Sequence, residues 1–286
     1  MIQQQVTQHL GSLEGPLLIF GGIYSNLQAL KALKATADSL HLHPSNIICT
    51  GDIVAYCANP EACINLVREW GIHCIAGNVE LQLIEEAEDC GCNFESNTNC
   101  DLFSRTWYPY TKAQISASSL EWLRTLPQFL QFQYAHREVL VVHGSYEETA
   151  QFIFKSTPWA IKEQQFNLAG AEVILAGHCG LPFMEEEAGK LWLNAGVIGM
   201  PANDASTQVW YLTLQSFAQQ LLPTFHSLEY DYETAAANLE EAKLPKAYAH
   251  TLRTGIWDNC DILPPTETQQ QGQPLIFSPS SPLPKA

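Results

Sequence analysis

Several short, largely apolar runs in this chain stop at glycine, most of them with a polar residue beside it, and that punctuation constrains the fold more than any other feature. Leu17-Leu18-Ile19-Phe20 ends at Gly21-Gly22, Ile47-Ile48-Cys49-Thr50 at Gly51-Asp52, and Ile72-His73-Cys74-Ile75-Ala76 at Gly77-Asn78. Further on, Val139-Leu140-Val141-Val142 ends at His143-Gly144, and Val173-Ile174-Leu175-Ala176 at Gly177-His178. Runs of this length, largely apolar and closed by a tight-turn residue, suit buried strands. Helical patterns separate the first three. Leu27, Leu30, Leu33, Ala37 and Leu40 follow Ser25 and Asn26, either of which can cap a helix, and residues 60–70 carry proline in their first turn. Strand, helix, strand at this spacing predicts parallel βαβ units and hence an α/β fold.

The remaining segments are less regular. Residues 1–15 read as a polar leader, residues 85–105 as an acidic insertion rich in Cys, Asn and Gly, and residues 264–286 as a poorly packed Pro/Gln/Ser tail. Ser118-Ser119-Leu120-Glu121 fits a capping box for a helix that Pro127 stops. Leu191-Trp192-Leu193, Val209-Trp210-Tyr211-Leu212 and residues 221–230 read as adjacent, partly antiparallel strands of a second sheet, with helices returning between Tyr232 and Leu252. No repeat or linker divides residues 16–263, so one compact domain is expected. The tryptophans at 107, 122, 159, 192, 210 and 257 fall mainly at periodic apolar positions and are expected in the core.

Charge narrows the function. Fourteen Lys and Arg against thirty Asp and Glu leave a net charge of −16, which disfavours nucleic acids and anionic membranes as partners. A phosphate-bearing ligand is not excluded, since a metal ion can supply the positive charge that the side chains lack. No apolar run is long enough for a membrane span, the opening residues resemble no secretory signal, and nine cysteines, an odd number, suit reduced thiols, so a cytoplasmic protein is expected.

Asp52, Asn78, His143 and His178 each sit immediately after an apolar run, three of them across a single glycine. Residues outside the carboxyl ends of strands in an α/β sheet can converge though far apart in sequence. One carboxylate, one amide oxygen and two imidazoles suit manganese, iron or zinc, whereas calcium would want more oxygens. Singly, Gly-Asp reads as a turn and a strand-end His as a structural residue; jointly, the four read as a metal site. Cys90-Gly91-Cys92 with Cys100 has C-x-C spacing and lacks an obvious fourth ligand, so it reads as a loop of free thiols that lines or covers the cleft.

These blocks resemble the calcineurin-like metallophosphoesterases, whose motifs run D-x-H, G-D, G-N-H-D/E, a lone H often before G, and G-H-x-H. The matching text is Gly22-Ile23-Tyr24, Gly51-Asp52, Gly77-Asn78-Val79-Glu80, His143-Gly144 and Gly177-His178-Cys179-Gly180, supported by Asn26-Leu27-Gln28-Ala29-Leu30 and Asn194-Ala195-Gly196-Val197-Ile198-Gly199-Met200-Pro201. The resemblance covers residues 16–230. It implies a four-layer α/β/β/α sandwich of two mixed sheets flanked by helices. It also implies a hydrolase that cleaves a phosphate mono- or diester, in a small molecule or a phosphoprotein, by attack of a metal-bound water.

The family typically binds two metals, and here one set of ligands is reduced. Asp52 matches the bridging carboxylate, and Asn78, His143 and His178 complete the second site. Gly22, Tyr24 and Gly180 stand where the first site's own ligands would be, and Val79 replaces the catalytic histidine, so one ion is expected rather than two. Glu80 as acid or base, Tyr24 as hydrogen-bond donor and Cys179 as nucleophile or extra ligand are the candidates to substitute. The alternative is a catalytically impaired protein that binds a phospho-ligand or regulates.

Overall fold

A computed structural model describes residues 6–92 and 94–277. In chain order the elements are β1 (Thr7–Ser12), β2 (Leu17–Phe20), α1 (Leu27–Ser39), β3 (Ile47–Cys49), α2 (Pro60–Trp70), β4 (His73–Cys74), α3 (Asn78–Ile84), α4 (Asn99–Gln114), α5 (Ala117–Leu123), β5 (Phe129–Tyr134) and β6 (Arg137–Val141). They continue as α6 (Trp159–Ala169), β7 (Val173–Ala176), β8 (Phe183–Glu187), β9 (Lys190–Asn194), β10 (Val209–Phe217), β11 (Gln220–Leu228), α7 (Tyr232–Glu241), α8 (Lys246–Thr254) and α9 (Pro265–Gln269).

Two mixed sheets result, one ordered β11-β10-β2-β3-β4 and the other β1-β5-β6-β7-β9-β8. The parallel pairs β2/β3, β3/β4, β6/β7 and β7/β9 come from the apolar runs, and their side chains alternate between two cores. Leu17 and Ile19 of β2 meet Val139 and Val141 of β6 and Leu175 of β7 between the sheets. Leu18 and Phe20 face the other way, onto Leu30 and Leu33 of α1 and Ile64 of α2. On the far side, Leu140, Ile174 and Trp192 pack against Phe166 of α6. Strands covered on both faces have no solvent side, which explains runs without polar alternation. The layers are helices, sheet, sheet, helix.

Several expectations change. Residues 7–12 of the supposed leader form β1, parallel to β5. Val209–Phe217 and Gln220–Leu228 do not make a sheet with Lys190–Asn194: β10 and β11 extend the sheet of β2, whereas β9 lies beside β7. Which sheet a strand joins depends on contacts across the domain that local pattern does not carry. The helix near residue 118 is capped by Ser116, not Ser118, and Glu61 of α2 accepts from both the Ser116 and Ser119 hydroxyls in place of Glu121. Residues 99–105 of the insertion belong to α4. Part of the tail is packed, since Pro265–Gln269 is helical and the Phe277 ring stacks on Phe225 at 4.2 Å; residues 278–286 lie outside the described residues.

The two sheets meet at one end. Gly21 N–H donates to the Gly196 carbonyl at 3.0 Å, and Gly21 bridges Val197, so the loops after β2 and β9 are stitched together. The loops after β3, α3's N-terminus, β6 and β7 open onto this shared rim.

Candidate metal centre

The four strand-end residues are brought together there, two from each sheet. His143, following β6, is at the middle: its Nε2 lies 3.2 Å from Asp52 Oδ2, 3.1 Å from Asn78 Oδ1 and 2.9 Å from His178 Nδ1. All four residues are buried. The other nitrogen of His143 donates to the Thr50 carbonyl at 2.7 Å, which leaves Nε2 as a lone-pair donor. Asn78 opens α3 and its amide is oriented the same way. Nδ2 donates to the Cys90 carbonyl at 3.0 Å and to Cys92 Sγ at 3.2 Å, so Oδ1 turns toward His143. His178 is held by Phe152, stacked on its ring at 4.3 Å.

A carboxylate oxygen, an amide oxygen and two ring nitrogens thus point at one centre. Four acceptors this close repel one another unless a cation sits among them. Ligands about 2.1 Å from an ion lie roughly 3.0–3.4 Å apart, so the separations fit a divalent transition metal.

Without metal a proton serves instead. Burial pushes His143 down, but the charge and hydrogen bond of Asp52 and the Thr50 carbonyl outweigh it, and His143 titrates above its ordinary value. Asp52 goes below the usual carboxylate range: burial raises it, but the charge and hydrogen bond of His143 overcome that effect. Burial and the neighbouring His143 push His178 down to about 3, leaving it neutral and ready to coordinate. Two pH dependences follow from the raised His143. Metal has to displace its proton, so apparent metal affinity should rise with pH through the His143 titration and flatten above it, as read by calorimetric titration with manganese. In EDTA-treated protein the stabilisation is complete below about pH 6.5 and is lost as pH rises through the raised value, so Tm should fall over that window.

The loops around the centre are strained. Tyr24, Ser25 and Asp52 adopt left-handed conformations with φ of 52°, 60° and 54°. They run side by side, Tyr24 N–H donating to the Asp52 carbonyl and Ser25 N–H to that of Ile53. Glu80 anchors this arrangement from within. Its carboxylate accepts from Asp52 N–H at 2.9 Å, Gly77 N–H at 2.8 Å and Val54 N–H at 3.2 Å. Gly77 must lack a side chain, because a Cβ there would lie 2.6 Å from Asp52 N.

The candidates for proton and covalent chemistry fall in different places. Glu80 is wholly buried, and burial with the Asp52 charge raises it to about 7 against the pull of its N–H donors. All three of its hydrogen bonds go to backbone, an arrangement that supports a loop-holding role. Cys179 lines the cleft beside the centre, but burial pushes its thiol up to about 12 and Asn194 Nδ2 donates to its sulfur at 3.2 Å. A neutral thiol is a poor nucleophile. Tyr24 also lines the cleft, and burial followed by the Asp52 charge raises its phenol well above 10, so it stays a donor. Its ring covers Gly22: a Cβ on Gly22 would fall 2.5 Å from Tyr24 Cζ. Val79 is fully buried and has no proton to give. Sequence reasoning missed the parts of Cys90 and Cys92 in orienting Asn78 and of Phe152 in holding His178; their signal was only their position in loops whose path depends on the packing.

Comparison with known proteins agrees with this architecture. The sequence model of the calcineurin-like phosphoesterase superfamily domain matches residues 22–216. An uncharacterized protein of Methanocaldococcus jannaschii is 27% identical over 184 residues, 64% of this chain and 69% of its own. Among solved structures, a metallophosphoesterase from Sphaerobacter thermophilus superposes with a TM-score of 0.66 at 24% identity, covering 85% of this chain and 100% of the other. A hypothetical protein from Pyrococcus horikoshii gives 0.71 at 20% identity, covering 85% and 99%. These two likenesses show the shared fold.

Proposed function

Because this chain belongs to the calcineurin-like phosphoesterase superfamily, we propose that it hydrolyses phosphate mono- or diesters at a site built for one divalent cation. The observation that carries the reading is the convergence of Asp52, Asn78 and His178 on His143 Nε2 within 2.9–3.2 Å. These four residues would hold manganese, iron or zinc. A bound cation supplies Lewis-acid polarisation of a phosphoryl oxygen and lowers the pKa of a water.

The chain's own groups do the rest. Tyr24, kept protonated, donates a hydrogen bond toward a phosphoryl oxygen on the side where Gly22 and Gly180 offer no ligand. Phe152 shields His178 and keeps its ring from turning. Val79 protonates nothing, so esters whose leaving group departs without a proton are favoured. The net charge of −16 keeps nucleic acids away and leaves a cytoplasmic small molecule or phosphoprotein as the substrate class.

A second reading, a phospho-ligand-binding module without turnover, is favoured by the Tyr24 ring lying over Gly22. Metal analysis of the purified protein, with bis-p-nitrophenyl phosphate and p-nitrophenyl phosphate assays with and without manganese, separates the two. One ion per chain with metal-dependent turnover, absent in Asp52→Asn, is the expected outcome. Tight metal binding without turnover moves the assignment to the second reading, and absence of metal binding removes both.

Gly22→Asp, Tyr24→His and Gly180→His together should raise the stoichiometry toward two ions. Gly22→Asp alone should fail, since the Tyr24 ring occupies the space. Gly180 has φ of 78°, so histidine there costs roughly 1–2 kcal/mol of backbone strain. A well-folded triple variant that still binds one ion would count against this assignment of the opening block.

A further inference from the structure

The cleft beside the metal centre has walls that the centre does not explain. Its cavity measures about 100 Å³, and Tyr24, Tyr56, Phe103, Phe152, Tyr248 and Trp257 line it. All but Tyr24 are half-buried, so their rings face the cleft with part of their surface uncovered. They are also fixed. Tyr56 packs edge-on to Tyr24 at 4.6 Å and against Tyr248 at 5.1 Å, and Phe103 lies 5.5 Å from Tyr248. Trp257 donates from Nε1 to the Pro201 carbonyl and from its backbone N–H to Asn203 Oδ1, both at 2.8 Å.

The charge on these walls is as telling as their shape. Among the described residues lining the cleft there is no Lys or Arg, and the carboxylates are Asp52 and the exposed Asp258. A polyphosphate or sugar phosphate would bring anionic or strongly hydrated groups to a surface with no cationic partner. A flat, uncharged ring would instead cover aromatic faces that are already immobilised, at little ordering cost.

We propose that the cleft selects phosphate esters whose organic part is an uncharged aromatic ring, seated between Trp257 and the Tyr56/Tyr248 wall with its phosphate at the metal centre. This rests on the phosphoesterase reading above for the position of the phosphate, but the ring selection is testable without turnover.

The experiment compares phenylphosphonate with methylphosphonate, neither hydrolysable, by calorimetric titration of manganese-loaded protein. Phenylphosphonate should bind at least about tenfold more tightly. Trp257→Leu, which keeps apolar bulk and removes the flat ring, should reduce that ratio severalfold while leaving methylphosphonate within about twofold; Phe103→Leu provides a second wall variant should Trp257→Leu fold poorly. Equal affinity for the two phosphonates overturns ring selection and leaves the phosphoesterase reading standing, as does a ratio unchanged in the folded wall variants. Phosphocholine outcompeting phenylphosphonate also overturns it, because the walls would then be serving a cation. Binding of neither phosphonate overturns both. Ring-selective binding without hydrolysis of bis-p-nitrophenyl phosphate supports the inference and removes only the hydrolase.

Discussion

Replacing His143 by alanine is expected to abolish stoichiometric metal binding and to lower metal-dependent phosphoester turnover by about 10³-fold or more. No other side chain in the centre touches all three partners. Asp52 Oδ2, Asn78 Oδ1 and His178 Nδ1 each lie within 3.2 Å of its Nε2, and its Nδ1 ties the cluster to Thr50 at the end of the neighbouring sheet. Without the imidazole the two sheets contribute ligands that no longer share a centre. Elemental analysis after gel filtration, with steady-state assays in manganese, reads both effects, and circular dichroism establishes that the variant folds. A folded His143→Ala protein that retains one tightly held ion would place the metal elsewhere.

The second large effect concerns a residue that need not touch substrate at all. Glu80→Ala should lower the unfolding free energy by about 3 kcal/mol or more, because it leaves the buried N–H groups of Asp52, Val54 and Gly77 without an acceptor. Glu80→Gln should rescue only part of this. An amide replaces one acceptor oxygen by an NH₂ that faces further N–H donors, so at least one of the three bonds is lost. The left-handed turn at Asp52 depends on these bonds, so metal affinity should fall with stability in both variants. Urea unfolding of metal-free protein measures the first quantity and manganese titration the second. If Glu80→Gln keeps full stability and metal affinity but loses turnover, the carboxyl acts on substrate rather than on the loop.

How much of this was legible beforehand depends on the range of the interaction concerned. The buried strands could be read because full coverage on both faces leaves an unbroken apolar run, and Leu17–Phe20, Val139–Val142 and Val173–Ala176 are such runs. Asp52, Asn78, His143 and His178 could be picked out because each sits immediately after an apolar run, three of them across a single glycine, and the end of a buried strand is a fixed place in any α/β architecture. The N-cap of α1 was similarly local: Asn26 accepts from Ala29 N–H three residues on.

Longer-range features were read less well. Ser118 looked like a cap because its own neighbours fit a capping box, yet Ser116 caps α5 and its acidic partner, Glu61, is 55 residues away. Residues 7–12 looked like a leader because they are polar, but an edge strand needs few apolar side chains when its backbone is bonded to β5. Trp257 fitted a core position by periodicity and instead forms a wall of the cleft.

The chain's order of residue types thus dictated its buried parallel strands, the helices between the first three of them and the identity of the four polar residues at their ends, since each depends on neighbours a few positions apart. Tertiary structure alone assigned two of these residues to each sheet and aligned the sheets' ends so that Asp52, Asn78 and His178 meet at His143. It also laid the Tyr24 ring over Gly22, buried Glu80 under Asp52 and gathered the aromatic walls. Those arrangements come from packing between segments up to some two hundred residues apart, and such packing is an energy of the whole domain that no short stretch of sequence encodes.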